Sequence, residues 1–246
     1  MGDPLTSVSL VSVKRVLIVG AGRLGQAAAD ILLRAQKVTH AVEPVGFVDD
    51  DPDLLGWEYL GLSVLGGVAA MVDIPHDEVL IAMGGNAARF RLYEQLVRSG
   101  DRLATARHSD AVVASDAEVG PGSIICARSV VGPRALIGAN SIINSGGCIA
   151  HGSRLGKHVC VGSAAYLAGE VVVGDGAWIG ADVTILARRR VGAWSCVADG
   201  AVVDRDVPDG VAVSGAPASR TGQGLNNKRS RKSRASHRTH CLRPIE

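Results

Sequence analysis

An aliphatic residue recurs at every sixth position through most of the C-terminal half of this sequence. The sixteen members of the series follow one another without a break: Val113, Val119, Ile125, Val131, Ile137, Ile143, Ile149, Leu155, Val161, Leu167, Val173, Ile179, Ile185, Val191, Val197 and Val203. A period of six matches neither the 3.6-residue period of an α-helix nor the two-residue alternation of an ordinary strand. It is typical of a parallel β-helix built from hexapeptide repeats.

Small residues accompany the aliphatic series. Ala, Ser or Gly stands two residues before twelve of the sixteen positions, and Gly directly follows eight of them. Three hexads would form one triangular coil, with the aliphatic side chains inside and the small residues near the corners, where bulk does not fit. Residues one coil apart would then stack at the strand spacing of about 4.8 Å. The repeats predict a β-helix domain of just over five coils, which we assign to residues 109–221.

A different pattern precedes the repeats. Residues 14–34 combine an apolar strand, a glycine turn and an amphipathic helix, residues 43–52 contain a strand that ends in acids, and residues 77–100 repeat the order of strand, glycine loop and helix. Alternating strands and helices indicate a small parallel sheet covered by helices. We therefore predict a Rossmann-like α/β domain over residues 14–108, after an N-terminal extension of residues 1–13.

The first glycine turn, GAGRLG, fits the GxGxxG pattern between a strand and a helix. Gly20, Gly22 and Gly25 would allow a tight turn and the close approach of a phosphate to the helix N-terminus. Asp49 and Asp50 end the second strand, where they could meet a ribose or a base. A glycine turn also serves purely as structure in any doubly wound domain. An NAD-dependent oxidoreductase is a further alternative, although no second α/β domain follows the motif.

The second glycine loop, MGGNAARFR, should face the same crevice as the first. Asn86 lies at the end of this loop and Arg89 in the first turn of the helix that follows. We predict that both contact the nucleotide part of a substrate, with Arg89 placed to hold a phosphate. The alternative for Arg89 is an ordinary solvated helix arginine.

Residues 144–174 are mostly Gly, Ala, Ser and small aliphatic residues, yet they include two histidines. Neither His151 nor His158 occupies an inward aliphatic position of its hexad, so we expect both side chains to point outward. Their small neighbours would leave an open wall for a ligand, although a histidine in water is the simpler interpretation. A zinc site needs about three protein ligands, and these coils offer two histidines, so we predict no metal.

The charge of the chain is divided unevenly. Residues 222–246 hold seven of the 26 basic residues and one acid, which leaves 19 basic and 23 acidic residues in the rest of the chain. Such a charged, weakly hydrophobic segment predicts a disordered basic tail. Because the body is slightly acidic, we do not expect nucleic acid as a partner, beyond a weak contact of the tail with an anionic surface.

No apolar run approaches the roughly 18 residues of a membrane helix, and the N-terminus lacks the features of a signal peptide. The five cysteines form no CxxC pair, which favours reduced thiols. We expect a cytoplasmic protein that does not contact membranes.

Several segments together resemble one family. They are VLIVGAGRLG, GFVDDDP, IAMGGNAARFRLY, HSDAVVAS, NSGGCIAHGSRLGKHVCVG and VSGAPA. They resemble the hexapeptide-repeat sugar acyltransferases of the sialic-acid O-acetyltransferase type, which include the N-acetyltransferases of UDP-linked 4-amino sugars. The resemblance covers residues 14–220.

The resemblance implies a fold, an activity and a site. The β-helix would be left-handed and homotrimeric, with acetyl-CoA in the groove between two subunits and a nucleotide sugar on the α/β domain. The family's catalytic histidine falls on His151, which would act as the general base in acyl transfer to an amino or hydroxyl group of the sugar. The backbone of Gly169 would meet the CoA arm, and Cys160 and Gly200 are the other positions expected beside the cofactor.

Three departures from the family pattern qualify this expectation. Arg23 and Leu24 replace the usual Gly-His of the first loop, Gly152 replaces the acid that usually follows the catalytic histidine, and Cys160 replaces a histidine that often meets the cofactor. Because Glu170 lies one coil beyond Gly152, we hypothesise that Glu170 orients the His151 ring instead. The loss of the acid also leaves open a non-catalytic, nucleotide-sugar-binding or scaffold protein of the same fold.

Overall fold

The computed structural model describes residues 13–225, in which an α/β domain is followed by a parallel β-helix. Residues 1–12 of the predicted extension and residues 226–246 of the predicted tail lie outside this range. Within it, no helix is both long enough and apolar enough to span a membrane.

The α/β domain has the alternating order that the sequence predicts. Its elements are β1 (Lys14–Val19), α1 (Arg23–Thr39), β2 (Val42–Val48), a 3-10 turn (Pro52–Leu54), the hairpin of β3 (Glu58–Tyr59) and β4 (Leu62–Ser63), a second 3-10 turn (Val68–Asp73), β5 (Glu78–Ile81) and α2 (Asn86–Ser99). Three strands form a parallel sheet in the order β2-β1-β5. The loops that leave the carboxyl ends of β1, β2 and β5 therefore meet at one edge, where ligands bind in sheets of this kind.

The β-helix has three faces, each formed by parallel strands apart from β24. Face 1 contains β7 (Val112–Val113), β10 (Val130–Val131), β13 (Cys148–Ile149), β16 (Tyr166–Leu167), β19 (Thr184–Ile185) and β22 (Val202–Val203). Face 2 contains β8 (Glu118–Val119), β11 (Leu136–Ile137), β14 (Arg154–Leu155), β17 (Val172–Val173) and β20 (Arg190–Val191). Face 3 contains β6 (Ala106–Arg107), β9 (Ile124–Ile125), β12 (Ile142–Ile143), β15 (Cys160–Val161), β18 (Trp178–Ile179), β21 (Cys196–Val197), β23 (Val211–Ser214) and β24 (Ser219–Gln223).

The predicted register is confirmed. Ile149 pairs with Val131 on one side and with Leu167 on the other, a separation of one 18-residue coil in each direction. The aliphatic residue of each hexad is the second residue of its strand and, from Ile125 onward, is buried in one continuous core. Burying such a side chain contributes about 1.5–3 kcal/mol, so a narrow core without aromatic rings gains its stability from repetition.

The corners between faces share one backbone conformation. Every sixth residue has a positive φ, in the unbroken series Gly122, Arg128, Arg134, Asn140, Gly146, Gly152, His158, Ala164, Glu170, Gly176, Asp182, Arg188, Trp194 and Gly200. Non-glycine residues pay about 1–2 kcal/mol for this left-handed conformation. We name the corners by the faces they join: the 1/2 corner follows a face 1 strand, the 2/3 corner a face 2 strand and the 3/1 corner a face 3 strand.

The α/β domain covers face 3. The outward side chains of Ile124, Ile142 and Cys160 are buried in the same apolar cluster as Ile31 and Phe47 of the α/β domain. The α/β domain thus packs against face 3, whereas faces 1 and 2 are not covered by any other part of the described chain.

The structure corrects both predicted boundaries of the β-helix. β6, at residues 106–107, lies within the range assigned to the α/β domain but pairs with β9 of the β-helix. The sequence hid this first strand because Arg107 fills the place of the aliphatic residue, at an open end of the solenoid where it is exposed.

At the other end, β23 pairs with β21 at a separation of 16 residues instead of 18. β24 then runs antiparallel to β23 and ends at Gln223, so residues 222 and 223, predicted to belong to a disordered tail, lie in a strand. The two-residue deletion breaks the period of six, which is why the hexad series ends at Val203, before β23.

Candidate active site

His151 lies at the 1/2 corner and its side chain is exposed, as predicted. The corner turns the chain from β13 to β14, two residues after the buried Ile149. One coil further along, the ring lies directly over Gly169, because a methyl group on Gly169 would come within 2.6 Å of the His151 Cε1 and Nε2 atoms. The lack of a side chain at Gly169 thus provides the space that the imidazole occupies.

The main-chain N–H of Gly169 has no hydrogen-bond partner among the described residues. At three comparable corner positions an aspartate takes this N–H: Asp175 accepts from Lys157, Asp199 from Ala181 and Asp209 from Ala193. The residue one coil beyond Gly169 is Ala187, which has no oxygen to offer. An exposed imidazole and an open N–H donor therefore stand at the same corner.

Glu170 stacks on Gly152, as the coil arithmetic predicts. Its main-chain N–H donates to the carbonyl oxygen of His151 at 2.9 Å, and a methyl on Gly152 would lie 3.4 Å from the Glu170 Cγ atom. Among the described residues, no hydrogen bond or ion pair joins the Glu170 carboxylate to the His151 ring. The Glu170 side chain is exposed, and its orienting role stays a prediction.

Three arginines that the sequence analysis missed follow at the end of this corner and at the start of β20. Arg188, Arg189 and Arg190 come directly after Ala187. Arg189 approaches Asp206 at 3.9 Å, whereas Arg188 and Arg190 are exposed and form no ion pair with any described residue. The triplet itself was the available signal, since it interrupts the small residues of the repeat beside the predicted site.

The glycine loop adjoins the loop after β5. Gly20 has a φ of +104°, and a methyl there would lie 2.8 Å from the carbonyl oxygen of Ala82. A methyl on Gly25 would overlap the carbonyl oxygen of Gly20, whereas one on Gly22 would meet nothing within 4 Å. Gly20 and Gly25 are therefore required by packing, and Gly22 leaves open space at the N-terminus of α1, where no side chain caps the helix.

The two acids after β2 are partly engaged by the backbone. Asp49 accepts from the N–H of Ala21 at 2.8 Å and from that of Asp51 at 3.0 Å, so it shapes the glycine loop. Asp50 is exposed and accepts from the N–H of Val68 through Oδ1 alone. Of the two predicted contacts to a ribose or base, Asp50 keeps a free oxygen at the crevice.

Known proteins can now be compared with this arrangement. Residues 15–96 match the family described as the PglD N-terminal domain. PerB from Caulobacter crescentus, solved in complex with CoA and GDP-perosamine, is 32% identical, with a TM-score of 0.77 over 86% of this chain and 99% of that one. A mutant of perosamine N-acetyltransferase from the same organism is 30% identical, with a TM-score of 0.78 over the same shares of the two chains.

The chain belongs to the hexapeptide-repeat sugar acetyltransferases. The acetyltransferase domain of PglB from Neisseria gonorrhoeae FA1090, solved with acetyl coenzyme A, is also similar, at 26% identity and a TM-score of 0.79 over 85% of this chain and all of that one. No curated protein sequence gives a significant match. The fold class is the expected one, an α/β domain followed by a left-handed parallel β-helix, and the protein is an acyltransferase.

In this acetyltransferase, Arg89 does not line the crevice as we predicted. The side chain is fully buried and donates four hydrogen bonds, all to main-chain carbonyl oxygens on both sides of the domain junction. Asn86 is buried as well and donates from Nδ2 to the carbonyl oxygens of Gly176 and Ala177, both at 3.1 Å. The predicted phosphate and nucleotide contacts are therefore corrected to contacts between the domains, because α2 lies against the 2/3 corner.

His158 does point away from the β-helix core, but it is not exposed. It lies under α2 with 2% of its surface accessible, edge-on to the rings of Phe90 and Tyr93. Burial, followed by the positive charge of Arg89, lowers the pKa of His158 to about 4; Asp175 raises this pKa and Lys157 lowers it by smaller amounts. The acetyltransferase therefore keeps this histidine neutral and unavailable to a substrate.

Two predicted cofactor positions lie apart from His151 in a single protomer. Cys160 is 3% exposed on face 3, under the α/β domain, and burial raises the pKa of its thiol to about 11, so this prediction is corrected to a place in the core. Gly200 is exposed at the 3/1 corner, across face 1 from the corner of His151. Within residues 13–225, no cluster of His, Cys, Asp or Glu side chains could hold a metal ion.

Proposed function

We propose that the protein transfers the acetyl group of acetyl-CoA to the amino group of a nucleotide-linked amino sugar, in the cytoplasm. The observation that carries this proposal is the pairing of the exposed His151 ring with the open N–H of Gly169 at one corner of the β-helix. It is supported by the similar enzymes that bind CoA together with GDP-perosamine. Transfer to a sugar hydroxyl is the related alternative from the sequence.

His151 serves as the general base in this proposal. Acyl transfer from a thioester needs a base that takes the proton of the attacking amine, and a neutral imidazole has a suitable pKa near 6.5. The open N–H of Gly169 can donate to the carbonyl oxygen of the acetyl group, on which negative charge develops before the CoA thiolate leaves. Both groups belong to a rigid solenoid, so their relative position costs little to maintain.

The surface beyond His151 fits the acyl donor. Gly169 and Ala187 leave a smooth wall for the apolar part of the pantetheine arm. Arg188 and Arg190 follow with unpaired, exposed guanidinium groups, which bind phosphate groups well. In this proposal they face the phosphates of CoA.

The acceptor's nucleotide occupies the crevice of the α/β domain. The open space at Gly22 and the uncapped N-terminus of α1 suit a pyrophosphate, and the free oxygen of Asp50 suits a ribose hydroxyl or a base. Asp49 acts indirectly, because it holds the Ala21 N–H of the same loop.

The active unit in this proposal is a homotrimer built on face 1. The outward residues of face 1 are Val112, Val130, Cys148, Tyr166, Thr184 and Val202, whereas those of face 2 include Glu118, Arg154 and Arg190. Val112, Val130 and Tyr166 are large side chains exposed in a row, as expected of a surface that binds another copy. His151 and Gly200 stand on the two edges of this face, so contact between copies through face 1 can bring both to one groove.

We expect light scattering to give three times the 25.4 kDa of the chain at micromolar concentration. Tyr166→Glu should dissociate the trimer, because it places a charge in the apolar row of face 1. Val172→Glu, a similar change on face 2, is the matched control and should leave the mass unchanged. A monomeric wild type would contradict the proposed groove.

The activity is tested by incubating the protein with acetyl-CoA and GDP-perosamine or UDP-linked 4-amino sugars. We expect release of the CoA thiol together with a product heavier by one acetyl group, and an N-acetyl linkage by NMR. Binding of a nucleotide sugar without any acetyl transfer would contradict the proposal and favour the non-catalytic alternative left by Gly152.

A further inference from the structure

Arg89 joins both domains through a single side chain. Its Nε donates to the carbonyl oxygen of Asn140 at 3.1 Å and its Nη2 to that of His158 at 2.9 Å, both on the 2/3 corner of the β-helix. Its Nη1 donates to the carbonyl oxygen of Met83 at 3.2 Å and, at 3.5 Å, to that of Gly84. Met83 and Gly84 belong to the loop that adjoins the glycine turn of the crevice. The guanidinium thus bridges two successive coils and one wall of the crevice.

These corner carbonyls need an external donor. Among the described residues, no main-chain N–H donates to the carbonyl oxygens of Asn140, His158 or Gly176. At an exposed corner water can fill this role, but Asn140, His158 and Gly176 are buried beneath α2. Arg89 and Asn86 supply the missing donors, since an unsatisfied buried carbonyl would cost stability.

Arg89 does this without an acidic partner. No described carboxylate forms an ion pair with it, and burial lowers its pKa to about 10, which leaves the group charged at neutral pH. A buried charge is expensive, and a hydrophobic residue often stabilises such a place better. What a hydrophobic residue cannot supply is a planar set of donors that fixes the positions of several carbonyls at once.

We propose that Arg89 is a positioning residue that fixes the acceptor crevice of the α/β domain relative to the β-helix that carries His151. This proposal rests on the proposed function for the meaning of the crevice. Arg89 touches neither substrate in it. It acts through the Met83–Gly84 loop on one side and the Asn140 and His158 corners on the other.

The side chain of Asn140, on the β-helix, also donates a hydrogen bond to the main chain of Arg89. Its Nδ2 donates to the carbonyl oxygen of Arg89 at 3.3 Å and to Nδ1 of His158 at 2.9 Å. The helix residue and the corner residue therefore bond in both directions, and a shift of α2 along the corner would break several hydrogen bonds together. Such a cooperative contact suits a fixed spacing between two binding sites.

The test is the pair of variants Arg89→Met and Arg89→Lys. A small displacement of a bound substrate lowers the rate of transfer strongly, so we expect Arg89→Met to reduce kcat about 10- to 100-fold. The Kd of the nucleotide sugar and the KM of acetyl-CoA should each change less than about threefold, because each surface stays intact within its own domain. Arg89→Lys should recover part of kcat, since it keeps the charge but not the planar set of donors.

Arg91→Met is the matched control, because Arg91 is exposed on the same helix, and it should behave as wild type. If Arg89→Met does not fold, Asn140→Gly decides the matter. Glycine suits the positive φ of 55° at Asn140. The change removes only the hydrogen bonds that Asn140 Nδ2 donates to Arg89 and His158, so kcat should fall about 2- to 10-fold. Arg128→Gly, at an exposed corner with a φ of 58°, controls for the backbone effect.

Amide exchange of residues 83–90 tests the junction without any activity assay. We expect faster exchange there in Arg89→Met and unchanged exchange over residues 147–156 of the β-helix. An unchanged exchange pattern, a loss of sugar affinity with kcat preserved, or a kcat that falls only in proportion to the folded fraction would each overturn the proposal. A wild type that exchanges as expected but transfers no acetyl group would instead refute the proposed function.

Discussion

The 1/2 corner and the 2/3 corner of the β-helix share one backbone conformation but differ in whether another domain covers them. Both follow a two-residue strand whose second side chain lies in the core, and both pass through a residue of positive φ in every coil. His151 stands exposed at the first corner, whereas His158, seven residues later in the sequence, lies under α2 at the second. The repeat provides the same frame at each corner, so the difference arises from what covers it.

The comparison shows how a repetitive fold can carry a specific site. At the 1/2 corner the residues one coil beyond His151 are small or flexible, which leaves the ring and the Gly169 N–H accessible. At the 2/3 corner the carbonyl groups are taken by Asn86 and Arg89 of another domain. The same backbone conformation is therefore exposed at one corner and covered by another domain at the other.

Replacing each histidine with alanine should separate the two corners most clearly. His151→Ala should lower kcat by roughly 10²–10⁴, the usual contribution of a general base, and leave Tm unchanged because the ring is exposed. His158→Ala should lower the free energy of unfolding by about 2–4 kcal/mol, since it empties a buried aromatic contact, and leave kcat of the folded fraction near normal. Steady-state kinetics and chemical denaturation of both variants give the four values.

The same pair of variants can contradict the comparison. Equal kcat in His151→Ala and wild type would place the base elsewhere. An unchanged stability of His158→Ala would show that α2 does not depend on the corner it covers.

The next effect in size is the loss of stability at acid pH, which the buried His158 of the 2/3 corner should cause. The unfolded chain takes up a proton at His158 near pH 6.5, whereas the folded protein resists it until about pH 4. Between these pH values the unfolded state binds more protons than the folded state. The contribution of His158 to the free energy of unfolding is therefore fully present above pH 6.5 and is lost as the pH falls toward 4. The loss should reach roughly 3 kcal/mol near pH 4.

Denaturation curves of the wild type and of His158→Gln, measured from pH 7.5 to pH 4.5, isolate this contribution. The glutamine side chain does not titrate, so the variant should lose less stability over the same range. Parallel pH dependences would show that His158 does not resist protonation in the folded state.

The sequence predicted the β-helix well because its signal is local and periodic. Each coil repeats the same requirement for an inward aliphatic residue, so sixteen weak preferences added up to a definite register. The hexad series stops short of both ends of the β-helix, because Arg107 replaces an aliphatic residue at the open first end and the last coil is shorter by two residues.

The candidate site was predictable only at positions where one coil stacks on the next. The 18-residue spacing placed Glu170 over Gly152, and the resemblance to known acyltransferases singled out His151. The burial of Arg89, His158 and Cys160 could not be read in the same way, because it depends on where α2 and the α/β domain pack on the solenoid. Such long-range contacts leave no periodic signal in a single sequence.

The smallest effect concerns the acid missing after His151. A carboxylate near the imidazole stabilises the imidazolium that forms as the proton is transferred, and the exposed Glu170 carboxylate is carried by a stem that lies over Gly152. Glu170→Gln keeps the shape of the side chain and removes its charge, so kcat should fall about tenfold. Adding Gly152→Glu should recover part of the rate. The backbone can accept that change, because Glu170 itself has a φ of 61° at the equivalent corner of the next coil, against 66° at Gly152. Glu118→Gln, an exposed carboxylate on a face 2 strand, is the control for loss of a carboxylate on the β-helix and should leave kcat unchanged. If Glu170→Gln has the rate of the wild type, the Glu170 carboxylate does not assist His151, and the proposed activity of the 1/2 corner depends on accessibility alone.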